Sequence, residues 1–169
     1  MAAIISHEGS ESSLIQSLHE VLLTLHQSPY PHVPNPPQCK RRAAVAVILR
    51  IRPSHDHWPT TPTLPLDQSA TVTQQLDSLF SQDWVQHGDP EVLFIKRSSR
   101  VGDRFTGHVA LPGGKRDPED EDDMATAIRE AWEEIGLDLN AGNSIPVGNL
   151  PERVVKTSWD SVPYVGSSR

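Results

Sequence analysis

Glu130, Glu133 and Glu134 sit three and four positions apart, directly after Arg129. At about 100° per residue a helix would gather these three carboxylates into roughly 100° of arc. Like charges so placed repel by roughly 0.2–0.5 kcal/mol per pair, and a hard divalent cation reverses that sign. Mg²⁺ takes oxygen ligands in octahedral geometry and shares its shell with water and phosphate, so a few carboxylates on one rigid helix suit it.

The elements that would position these groups can be read on either side. Gly107 to Leu111 reads as a strand, Pro112-Gly113-Gly114 as a turn, and Lys115 to Asp123 as an acidic loop. A helix then runs from Met124 to Gly136, with Met124, Ile128, Ala131, Trp132 and Ile135 on a stripe expected to be buried and the glutamates opposite. Asp120, Asp122 and Asp123 complement the positive helix end, and Gly136 suits a left-handed cap. A Ca²⁺ loop built from Asp117, Asp120, Asp122 and Asp123 lacks the glycine and spacing that an EF-hand needs.

Arg129-Glu130-Ala131-Trp132-Glu133-Glu134-Ile135-Gly136-Leu137 resembles the second half of the Nudix box. Gly114 is separated from Glu121 by six residues where the box has five. Such lengthening is familiar in the coenzyme A diphosphatase branch, which Pro112-Gly113-Gly114-Lys115-Arg116-Asp117 and Thr126-Ala127-Ile128-Arg129-Glu130-Ala131 also resemble. Lys96-Arg97-Ser98 and Gly107-x-x-x-Leu111-Pro112-Gly113-Gly114 are similar to that branch's upstream signature, with Leu111 in place of Phe and a longer spacer containing Arg104.

The resemblance implies an α/β fold, a Nudix-type α/β/α sandwich with a mixed sheet. It implies Mg²⁺ or Mn²⁺ held by Glu130, Glu134 and the Gly114 carbonyl, with Glu133 as a ligand or the base for the attacking water. Arg129 would orient the glutamates, and Lys96, Arg97 and Arg104 would bind substrate phosphates. The implied reaction is hydrolysis of a small nucleoside-diphosphate-linked compound, coenzyme A foremost, with ADP-ribose and oxidised nucleoside triphosphates as alternatives.

The rest of the chain sets the frame. Leu14, Leu18, Val21, Leu22 and Leu25 define an amphipathic helix within residues 1–28, and the prolines of 29–42 a stiff linker. The Nudix domain is expected over 43–157, opening with a strand at Ala43 to Arg50, a helix from Gln74 to Trp84 and a strand from Glu91 to Lys96. Ile145 to Gly148 and Val154-Val155 read as further strands, and 158–169 as tail. Only 30 residues follow Leu139, so the sandwich is expected to be incomplete at its C-terminal side. Exposed apolar sheet and open strand edges would then favour a homodimer, or an inactive interaction fragment in place of an enzyme.

Fifteen Lys and Arg against 22 Asp and Glu give a net charge of −7, which argues against nucleic acid and anionic membranes as partners. The run Lys40-Arg41-Arg42 reads as a solvated strand flank. Cys39 is the only cysteine, no window reaches a bilayer span, and the first residues make a poor leader, so an intracellular site, cytoplasmic or organellar, is expected. His55-Asp56-His57 suggests zinc, but no further ligand is evident in sequence and solvated histidines are expected. His108 reads as a packing residue.

Overall fold

In the computed structural model the described residues are 11–37, 41–60, 66–98, 107–155 and 164–168. The elements are α1 (Glu11–Gln27), β1 (Arg41–Val45), β2 (Leu49–Arg52), α2 (Val72–Phe80), α3 (Asp83–Gln86), β3 (Asp89–Val92), β4 (Ile95–Lys96), β5 (Val109–Ala110), β6 (Gly113–Lys115), α4 (Asp123–Ile135), β7 (Arg153–Val155) and β8 (Tyr164–Ser168).

The largest sheet has the order β6-β1-β8-β7. It is mixed, as expected: β1 runs antiparallel to β6 and parallel to β8, and β7 is antiparallel to β8. Two short antiparallel pairs, β2 with β3 and β4 with β5, complete the described strands. The long strand expected from Ala43 to Arg50 is therefore two strands in different sheets, parted at Ala46 to Ile48. Glu91 to Lys96 divides in the same way at Leu93-Phe94.

The helix expected from Gln74 starts earlier, because Thr71 and Gln74 close a reciprocal capping box. It stops at Phe80, and α3 is a separate turn. Ile15, Leu76, Phe80 and Val85 form a core against which Leu18, Leu22, Trp84, Ile145 and Val147 pack. The amphipathic helix expected near the N-terminus packs its apolar face into this core. Ile145 to Gly148 is not a strand; it packs as extended chain, and the Val147 carbonyl lies 3.1 Å from His26 Nδ1. Tyr164–Ser168, read as tail, is the strand between β1 and β7.

A second cluster of Ala44, Ala46 and Ala127, with Ile48 against it, joins β1 to α4. Short side chains on both elements let the helix approach the sheet closely. The buried residues of α4 are Asp123, Thr126, Ala127 and Ala131, whereas Trp132 is 60% exposed and Ile135 is exposed too. The expected stripe was therefore mis-phased. The helix turns its small residues to the sheet and its bulky Trp132 outward, because only the small face fits against the glycine strand β6.

Arg42 is buried, not solvated. Its Nε donates to both Asp123 carboxylate oxygens at 2.8 and 2.7 Å, and its Nη2 to the buried Glu152. The remaining donor, Nη1, meets the Val33 carbonyl and Asn35 Oδ1, both at 2.9 Å. Burial works against this charge, but the hydrogen bonds to Asp123 and Glu152 outweigh it and raise the guanidinium pKa. The proline-rich segment is thereby fastened to β1 and α4 instead of acting as a free spacer.

Candidate active site

The site assembles where α4 crosses β6. Asp122 caps the helix, its side chain accepting from the Ala125 N–H at 2.7 Å. Gly136 ends it in the expected left-handed conformation, φ 66°. Between these fixed ends, Glu130 and Glu134 are one helical turn apart on the edge of the packed face.

Both carboxylates meet the glycines of β6, which pair with β1 as a strand where the sequence suggested a turn. The Gly113 N–H donates to Glu134 Oε2 at 2.9 Å. Gly114 lies so near Glu130 that a Cβ on it would be 2.5 Å from the Glu130 Cδ. Gly113 itself has φ +150°, and a Cβ there would sit 2.5 Å from the Val45 Cα, so Gly113 is sterically required by the backbone, whereas at Gly114 a side chain would displace the Glu130 carboxylate.

Arg129 ties the helix to the acidic loop. Its Nε and Nη2 donate to the two oxygens of Asp120 at 3.1 and 2.9 Å, a bidentate fork, and Nη2 also to the Lys115 carbonyl at 2.9 Å. Nη1 reaches Glu130 Oε1 at 3.1 Å and Glu133 at 3.4 Å. Hydrogen bonding from Arg129 holds the Asp120 carboxyl well below the usual carboxylate range, and Asp120 in turn raises the guanidinium. Asp120 is a site residue that sequence assigned only to the helix dipole.

Glu130 shifts the other way. Burial raises its pKa, Arg129 opposes the shift, and neighbouring Glu133 and Glu134 add to it. Its side chain is 16% exposed, against 55% for Glu133. The donor set suits a divalent cation: two clustered carboxylates beside a glycine backbone, with one glutamate already penalised for its charge. Among the described residues these glutamates are not one of the sets whose ligand atoms lie within 4.8 Å of one another; Glu130 is engaged by Arg129 and Glu134 by Gly113.

Three acidic groups of the loop have protein partners. Asp122 serves the cap, Asp123 binds Arg42, and Asp120 binds Arg129, which fits no Ca²⁺ loop. Lys96 is exposed in β4, opposite Val109 of β5, the strand that leads into β6. The Arg97 N–H donates to the His108 carbonyl at 3.0 Å. His108 is exposed, which corrects its reading as a packing residue. Arg104 lies outside the described residues.

With this geometry in place, comparison with known proteins is informative. The NUDIX domain model matches residues 84–162, so this part of the chain is similar to a Nudix domain. An uncharacterized protein of Schizosaccharomyces pombe is 40% identical over 132 residues, 78% of this chain and 34% of that protein. The mitochondrial coenzyme A diphosphatase NUDT8 of Mus musculus is 50% identical over 52 residues, 31% of this chain and 25% of its own length. The peroxisomal coenzyme A diphosphatase NUDT7 of the same species is 56% identical over 46 residues, 27% of this chain and 19% of its own. The chain spans about a third or less of each of these relatives. Among the described residues no helix is long and apolar enough to cross a membrane.

Proposed function

We propose that this chain is an intracellular, Mg²⁺- or Mn²⁺-dependent hydrolase of nucleoside-diphosphate-linked compounds, acting on coenzyme A or its derivatives at the diphosphate bridge. The observation that carries the reading is the convergence of Glu130 and Glu134 on Gly113-Gly114, with Arg129 clamping the acidic loop beside them. The similarity to the coenzyme A diphosphatases NUDT8 and NUDT7 supports the substrate class.

When bound, the cation would supply neutralisation of phosphate oxygens that gain charge and activation of water. Glu130, Glu134 and the Gly114 carbonyl are the groups that would hold it. Glu133, exposed at the same rim, would hold the cation with them or accept the proton of the attacking water. Arg129 is a positioning residue: its fork on Asp120 fixes the guanidinium, and that fixes the Glu130 carboxylate. Lys96, Arg97 and Arg104 would meet the substrate phosphates. Products from coenzyme A would be adenosine 3′,5′-bisphosphate and 4′-phosphopantetheine.

Release of adenosine 3′,5′-bisphosphate from coenzyme A by the 169-residue protein with Mg²⁺ or Mn²⁺, beside Glu134→Gln, tests this. Metal-dependent turnover that the variant loses is expected. Absence of turnover on coenzyme A, ADP-ribose and nucleoside triphosphates by folded protein would overturn it. That result would favour a second reading, an interaction fragment or homodimer, for which the 60% exposed Trp132 and 69% exposed Val109 offer apolar surface.

A further inference from the structure

His57, in the loop after β2, and His87, at the end of α3, are 30 residues apart in sequence but stack ring on ring. Their centroids are 3.8 Å apart and their planes 6° from parallel. Both rings address one carboxylate: His57 Nδ1 is 2.7 Å from Asp83 Oδ2, and His87 Nδ1 is 3.4 Å from Asp83 Oδ1. The Asp83 backbone carbonyl, 3.0 Å from His87 Nδ1, orients the second ring. One ligand atom from each of the three residues lies within 4.8 Å of the others. We propose that His57, Asp83 and His87 form a binding site for a divalent transition-metal cation of the zinc type.

The chemistry favours such an ion. Two imidazoles and a carboxylate match the borderline preference of Zn²⁺, while Mg²⁺ and Ca²⁺ select all-oxygen sets. To share one ion, the two rings would turn about their Cβ–Cγ bonds out of the stack. Three protein ligands leave a fourth tetrahedral position to water. His57 and Asp83 also line an open cavity of about 1160 Å³, shared with Trp58, Leu66 and Trp84, through which water would reach that position. Bound there, the ion would staple the loop after β2 to α3. The other described set of this kind, His32, Asp123 and Glu152, is already occupied by Arg42, which bonds to all three. Asp83 and His87 are the further ligands that His55-Asp56-His57 lacked in sequence, and His57 alone of that triplet belongs to the site.

The test uses the full ¹⁵N-labelled chain carrying Glu130→Gln and Glu134→Gln, so that the carboxylate site contributes nothing. Zn²⁺ is titrated while long-range ¹H–¹⁵N spectra report each imidazole nitrogen. The ring nitrogens of His57 and His87 are expected to move together and to saturate with a single equivalent. His87→Ala and Asp83→Asn, both exposed positions, should each weaken binding by at least about tenfold, the low end of what loss of an outer-shell partner costs. His55→Ala should leave it unchanged. Unresponsive His57 and His87 signals would overturn the proposal, as would variants at 83 and 87 that bind like the parent. The spectra of the parent chain decide even where a variant fails to fold.

Discussion

The Glu130 carboxylate rests against the bare backbone of Gly114, so closely that a methyl group on that residue would overlap the Glu130 Cδ at 2.5 Å. Gly114→Ala should therefore push Glu130 out of place without removing any charged group. A displacement of about 1 Å in such a group costs on the order of 10²-fold in rate. The assay is metal-dependent coenzyme A hydrolysis, with melting followed in parallel. An alanine variant that folds and retains full turnover would detach Glu130 from the mechanism.

Arg129 offers a sharper test of positioning than removal of charge. Arg129→Lys keeps the charge but loses the planar fork that spans Asp120, the Lys115 carbonyl and Glu130. Apparent Mg²⁺ affinity should fall about 10–100-fold, as for other groups that orient metal ligands. Excess Mg²⁺ should then restore much of kcat. A loss of kcat that no Mg²⁺ concentration repairs would instead place Arg129 on the substrate.

Much of this site was legible because its signals are local. The caps of α4, Asp122 and Gly136, and the order of glycine pair, acidic loop and helix lie within about two dozen consecutive residues. The face of α4 was mis-phased because apolar bulk was weighed, while the sheet selects small size: Thr126 and Ala127 go in and Trp132 stays out. Arg42 was unreadable for another reason. Its partners Asp123 and Glu152 are 81 and 110 positions away, and a basic run looks the same whether solvated or paired. The strand at Tyr164–Ser168 owes its place to pairing with β1 and β7, a non-local contact that a short segment with Gly and Ser does not announce.

Asp120 and Glu130 should give the fold opposite pH dependences. The folded-state pKa of Asp120 is depressed, so its stabilisation is complete above its unfolded value near about 3.9 and is lost as pH falls toward the folded value. That of Glu130 is raised by burial, so its penalty is absent below about 4.3 and grows as pH rises through the folded value. Metal-free melting between about pH 3 and pH 8 should show Asp120→Asn less stable than the parent throughout, with the gap narrowing only at the acid end. Glu130→Gln should melt higher than the parent at neutrality and converge with it in acid. Mg²⁺ should stabilise the parent more than Glu130→Gln; equal gains would mean that Glu130 is no ligand.

The last prediction concerns the support beneath the site. Arg42→Ala strips the positive partner from Asp123 and Glu152, whose side chains are 8% and 3% exposed. Breaking a buried pair from one side typically costs about 3–5 kcal/mol, since the orphaned charge has no water to replace its partner. Asp123 keeps Arg116 at 3.6 Å and Glu152 keeps the Val33 N–H and His32, which puts the expected loss at the lower end, read from urea denaturation. Asp123 opens α4 and Glu152 precedes β7, so the damage should spread to the helix that bears the glutamates, and Mg²⁺ affinity should fall as well. Adding Asp123→Asn to Arg42→Ala removes one orphaned charge and should recover part of the stability. Strictly additive losses from the two changes would show that the pair is not energetically coupled.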